Sequence, residues 1–161
     1  MSQNFTEADA ISGQQLHHIL AHNSFVKNDT IVELGDLGQF HSLDQLFGDR
    51  YFKIVFIRRG DGIGHWTLLT HLGDTSMEYF DPSGHPPPEE VLEWGTNVGL
   101  TTIDYSNTQL QHQDSFHCGR FVLARISSQP TSLDDFIAVL SSSKRYSPDD
   151  IVGMLFNVDN L

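Results

Sequence analysis

The segment QDSFHCG, residues 113–119, contains the only cysteine of the chain. For Cys118 to act as a nucleophile it needs a base to take its proton, a group to orient that base, and hydrogen-bond donors aimed at the developing oxyanion. The sequence offers residues for each role. His65 follows the turn sequence GDGIG and opens HWTLL, while Asp81 closes EYF and precedes PSG. Two strand ends of one hairpin lie at the same edge of a sheet, so Asp81 can hold the His65 imidazole. Glu78, three residues earlier in the same strand, points to the opposite face and is the weaker orienting acid. Cys118 stands where CGRFVLARISS predicts the start of a helix, a place that favours an anion and turns the cysteine's own peptide N–H into an oxyanion donor. Gly119 keeps that approach open, and a side-chain amide from Gln111 or Gln113 supplies a second donor.

Taken singly these residues are ordinary. A lone cysteine is most often a small core hydrophobe, one histidine among nine is most often a surface or satisfied core residue, and an Asp before Pro and Ser is most often a turn former. Other chemistries lack their residues. His17 and His18 are adjacent and do not share a helical face as zinc ligands would, and no HEXXH is present. GDGIG has no following Lys-Ser/Thr to bind phosphate, and Ser115 has no G-x-S-x-G around it. No metal or cofactor is expected.

The pieces GHW, then YFDPSG, then a Gln followed seven residues later by CG and a helix, resemble the cysteine peptidases related to adenain, the adenovirus maturation protease. Their clan also contains the peptidases that process SUMO and similar ubiquitin-like proteins. The resemblance covers about residues 50–126 and rests on short motifs. It implies an adenain-like fold with His65 as general base, Asp81 as its orienting acid, Cys118 as nucleophile and Gln111 as the oxyanion-hole side chain. Trp66, beside the histidine, is similar to the family's aromatic near the substrate site. Gln113 remains the alternative oxyanion donor; the six residues HQDSFH between Gln111 and Cys118 make the necessary reversal more easily than the four after Gln113. The chain departs from adenain in using Asp, as the ubiquitin-like-protein peptidases do, where adenain has Glu, and in being acidic where adenain-like proteins are basic and use DNA; it is shorter than most of the ubiquitin-like-protein peptidases, and its compact size leans toward adenain.

Positioning these residues requires an α+β domain. ISGQQLHHILAHN predicts a short amphipathic helix, with Ser12 as cap, Ile11, Leu16, Ile19 and Leu20 inward, and His17 and His18 at the surface. NDTIVELGDLGQFHSLDQLFGD, broken by Gly35, Gly38 and Gly48, reads as loops around short elements. YFKIVFIRR, HWTLLTHL and SMEYFDP predict three successive strands, and LTTIDYS a fourth, in a mixed or antiparallel sheet. Helices are predicted at EEVLEWGTNVG, at CGRFVLARISS, at TSLDDFIAVL and at SPDDIVGML, the last with Ser147 as cap, Pro148 first and Asp150 third. The whole reads as a central mixed sheet flanked by helices.

A chain of 161 residues with 39% hydrophobic content predicts one domain, residues 1–161. One cysteine allows no internal disulfide and points to a reducing, intracellular setting, whether host cytoplasm, nucleus or virion. Neither a signal sequence nor a run long enough to span a membrane is visible. The formal charge of −12 repels phosphate backbones and attracts basic partners, so the expected partner is a protein with a basic surface and not nucleic acid or membrane. The function these readings predict is a cysteine endopeptidase that matures viral precursor proteins. Three rivals remain: a deubiquitinating or deSUMOylating isopeptidase; acyl transfer to Ser, Thr or Lys, which lacks a basic cluster near the motifs for acetyl-CoA; and a catalytically inactive protein-binding module of the same fold.

Overall fold

The computed structural model describes Ser12, Gln15, Leu16, residues 30–59 and residues 64–156. Of the predicted N-terminal helix, Ile11, His17, His18, Ile19 and Leu20 lie outside the described residues. Ser12 does cap: its Oγ accepts the Gln15 N–H at 3.1 Å, and the Gln15 side chain accepts the Ser12 N–H at 2.9 Å. This reciprocal pair satisfies two donors that a helix start leaves orphaned.

The described residues fall into two compact units. One comprises residues 30–59, 64–81 and 85–107. It holds a five-stranded sheet ordered β1 (Ile31–Glu33), β2 (Phe52–Ile57), β3 (His65–Gly73), β4 (Ser76–Phe80), β5 (Thr102–Asp104). β2, β3 and β4 run antiparallel as successive hairpins, while β1 and β5 join the two edges in parallel, so the sheet is mixed. β1 was hidden within a stretch that reads as loops. It is three residues long, and its pairing with β2 is parallel and distant in sequence, so neither alternation nor a hairpin turn announces it.

The core of this unit gathers Val32, Leu37, Leu43, Leu46, Phe47, Val55, Leu69, Met77, Tyr79, Val91 and Trp94. Val55, Leu69 and Tyr79 come from one sheet face. Helix α1 (Leu43–Phe47), capped by Ser42 and closed at Gly48 with φ 59°, contributes Leu43, Leu46 and Phe47. Few residues other than glycine take that backbone angle without strain. Helix α2 (Glu89–Asn97) contributes Val91 and Trp94, whose indole N–H donates to the Phe40 carbonyl at 2.9 Å. That bond lets a large ring be buried without stranding its polar atom.

The other unit comprises residues 82–84 and 108–156 with Ser12, Gln15 and Leu16. It is helical: α3 (Cys118–Ser127), α4 (Leu133–Ser141) and α5 (Pro148–Leu155), with α5 packed on both others. The predicted boundaries hold. At α5, Ser147 Oγ accepts the Asp150 N–H, Asp150 accepts the Ser147 N–H, and Pro148 takes the first position. Such caps stabilise a helix by about 1 kcal/mol. α3 is buried on every side from Cys118 to Ile126, Arg120 and Arg125 included. Arg125, fully buried, donates to Ser128 Oγ and to the Thr131 carbonyl, both at 2.8 Å, and lies 5.3 Å over the Phe136 ring. Its guanidinium thereby ties the end of α3 to the start of α4.

Candidate active site

His65 is the first residue of β3, and Asp81 directly follows the last residue of β4. Leu68 pairs with Phe80, so the ladder continued by one step puts Asp81 opposite Thr67 and diagonal to His65 on one face. A diagonal of this kind is within reach of a long side chain. The imidazole spans it: His65 Nε2 lies 2.7 Å from Asp81 Oδ1, with side-chain exposures of 6% and 3%. Gly64, before His65, stands where a Cβ would fall inside the Phe56 ring, so the glycine of GHW lets that aromatic pass close to the backbone.

The electrostatics of this face bear the mark of the carboxylate. The Tyr79 phenol, on the same face, titrates above its ordinary range. Burial is the main cause, the nearby charge of Asp81 adds to it, and the Thr67 side chain opposes it. The second carboxylate oxygen of Asp81 lies 3.4 Å from Nδ1 of the exposed His85. Sequence reading passed over His85, four residues after Asp81 in PSGH, because nothing in the turn distinguishes it from a solvated residue.

Cys118 is buried and begins α3, with His117 as N-cap. The segment leading to it is held by its own polar groups. Gln111 Nε2 donates to the Ser115 carbonyl at 2.8 Å, and the Ser115 N–H donates to the His112 carbonyl at 2.9 Å. Ser115 Oγ accepts the His117 N–H at 3.0 Å. The backbone N–H groups of Leu110 and Gln111 both donate to the carbonyl of Pro82, each at 2.9 Å. The Gln111 side chain is thus buried, with one N–H engaged, and its Oε1 makes no hydrogen bond among the described residues. Gln113 is exposed in the turn.

Within one unit the structure therefore brings together His65 and Asp81, and within the other it ties Gln111 to the turn that precedes Cys118. Trp66 is not on the face of His65. As the next residue of the strand it points to the other side, where its ring lies 4.6 Å from that of its cross-strand partner Phe56. Glu78, also on that other side, is buried. Among the described residues no group of three or more His, Cys, Asp or Glu is arranged to hold a metal ion, and no helix is long and apolar enough to cross a membrane.

No family model and no curated protein matches the sequence. In structure the chain is similar to the ASFV protease as seen in its crystal structure, with a TM-score of 0.54 and 17% identity over 85% of this chain and 61% of that one. A selenomethionine crystal structure of the same protease aligns at TM-score 0.42 and 21% identity over 83% of this chain and 53% of that one. The central domain of an uncharacterised Legionella pneumophila protein aligns at TM-score 0.42 and 16% identity over 81% and 87%. The chain spans about three fifths of the length of the ASFV protease chain. At this identity the likeness is one of fold: the chain is an α+β protein with a mixed five-stranded sheet, arranged as in that protease.

Proposed function

We propose that the chain is a cysteine endopeptidase whose nucleophile is the Cys118 thiolate. The observation that carries this reading is the buried His65–Asp81 pair at 2.7 Å, an imidazole oriented by a carboxylate at the ends of two adjacent strands. Because Nε2 is committed to Asp81, Nδ1 is the nitrogen assigned to proton transfer. The sulfur attacks the scissile carbonyl carbon and a tetrahedral oxyanion forms. The Cys118 peptide N–H and the second N–H of Gln111 Nε2 are its assigned donors. His65 then gives its proton to the leaving amine as the C–N bond breaks, leaving a thioester. Water, losing a proton to His65, attacks the thioester and frees the acid product and the thiol.

The assigned substrate is protein, viral precursor proteins first, with a basic surface to match a chain of charge −12. The fold shared with the ASFV protease and the order of the GHW, DPSG and CG motifs support this class. The test is covalent. A peptide carrying a carbon electrophile in place of its scissile bond should add once, to Cys118, and His65→Ala should suppress the addition. Equal labelling of His65→Ala would remove the base from the reading. Rapid hydrolysis of ubiquitin or SUMO fused to a fluorophore, with peptides untouched, would move the substrate class to ubiquitin-like conjugates.

A further inference from the structure

Asp149 is 2% exposed, at the second position of α5, yet it takes no part in capping that helix, which Ser147 and Asp150 accomplish between them. Its carboxylate turns instead to the segment before Cys118. Oδ2 accepts the His112 N–H at 2.6 Å, Oδ1 accepts the Ser115 hydroxyl in a short bond, and His117 Nδ1 lies 3.5 Å from Oδ1. One turn later on the same helix face, a Cβ at Gly153 would come within 3.3 Å of His117 Cε1, so α5 lies close against that imidazole. Ser115, His117 and Asp149 have the residue types of a hydrolytic triad but not its wiring. The serine hydroxyl donates to the carboxylate and accepts from a peptide N–H, so its proton is engaged by Asp149 instead of an imidazole.

The arrangement instead anchors residues 112, 115 and 117 to one buried charge, and these lie between Gln111 and Cys118. Ser115, held by Asp149 through its hydroxyl, offers its carbonyl to Gln111 Nε2. We propose that Asp149 is a positioning residue for the oxyanion hole: it sets the spacing between the Gln111 amide and the Cys118 peptide N–H. The inference rests on Cys118 being the nucleophile. A carboxylate suits the task because it accepts from two directions at once, from a peptide N–H and from a hydroxyl, whereas a carboxamide offers one acceptor oxygen. A misplacement of about 1 Å at a donor is enough to lower a rate about a hundredfold.

The test is Asp149→Asn, which keeps side-chain volume and one acceptor, assayed on the best substrate from a quenched-fluorescent peptide library. If the substitution displaces a donor by up to about 1 Å, activity should fall by up to about 100-fold. That loss should fall on kcat, with KM within about threefold, because a donor to the oxyanion acts in the transition state and not in ground-state binding. In a Gln111→Ala background the same substitution should lower kcat by less than about threefold, since the hole it aligns is already incomplete. A merely structural role would give the full loss in both backgrounds, and that result, or a parental kcat for the single variant, overturns the proposal. If Asp149→Asn does not fold, Ser115→Ala serves in its place and should show the same kcat loss and the same non-additivity; a parental rate there is equally fatal. Full turnover by Cys118→Ala would instead remove the reading beneath, and the proposal with it.

Discussion

In the proposed mechanism, replacing Asp81 by Asn isolates the charge that orients the base. Asparagine has the same shape, and with its Oδ1 turned to His65 it still accepts the Nε2 proton across the 2.7 Å gap, which keeps the ring orientation and tautomer. What is lost is the negative charge beside the imidazolium that forms during the reaction. The pair is 6% and 3% exposed, so solvent does little to replace it. A hydrogen bond to a charged group contributes about 1.5–3 kcal/mol against about 0.5–1.5 for a neutral one, a difference of about 1–2 kcal/mol. At about 1.4 kcal/mol per decade this predicts a fall of about 5- to 30-fold in kcat. Asp81→Ala should fall further, because the buried imidazole N–H then loses its carboxylate acceptor altogether, a penalty of about 1–3 kcal/mol more. The assay is steady-state cleavage of one peptide by parent and variants at a single pH, with thermal unfolding to confirm that each is folded. A rate for Asp81→Asn within about twofold of the parent would refute the argument, since it would mean that the carboxylate charge does not act on the base.

Gln111→Ala should lower kcat by about 10² to 10³, the usual effect of deleting one oxyanion donor, while the exposed Gln113→Ala stays within several-fold of the parent. Two mild effects would leave the stabilisation to backbone amides. Tyr79 predicts an alkaline limit to stability: burial first, and the Asp81 charge second, raise its folded-state titration, so the folded protein keeps a proton that the unfolded chain releases near pH 10. Its contribution is complete below about pH 10 and is lost as pH rises above it, and Tyr79→Phe should flatten the fall in urea midpoint across that range. An unchanged slope in the variant would assign the loss to other groups.

Local signals carried much of this molecule. Ser147, Pro148 and Asp150 announced the start of α5, and the glycine and apolar run after Cys118 announced α3 at the residue where it begins. Asp81 before PSG and His65 after a glycine turn could be placed at neighbouring strand ends because hairpin order fixes which ends adjoin. What escaped depends on distance in sequence. Asp149 looks like one more acid in the first turn of a helix, and only the fold reveals that its carboxylate reaches back 37 residues to the His112 N–H. Arg125 sits in an apolar run with nothing nearby to foretell that Thr131 and Phe136 would shelter it. Alternation within a strand does set Trp66 opposite to His65, yet its tilted ring contact with Phe56 follows from a register that the sequence leaves open.

If one sulfur atom does the chemistry, Cys118→Ala must abolish cleavage. Alanine at the first position of α3 removes the proposed nucleophile with little disturbance to the helix, since alanine is a good helix former and about the smallest change available. Parent and variant, matched in thermal unfolding, would be incubated with an unstructured protein substrate and the fragments followed by mass spectrometry. Defined fragments are expected from the parent and none from the variant. Fragments of the same masses, released at the parental rate by Cys118→Ala, would contradict that expectation.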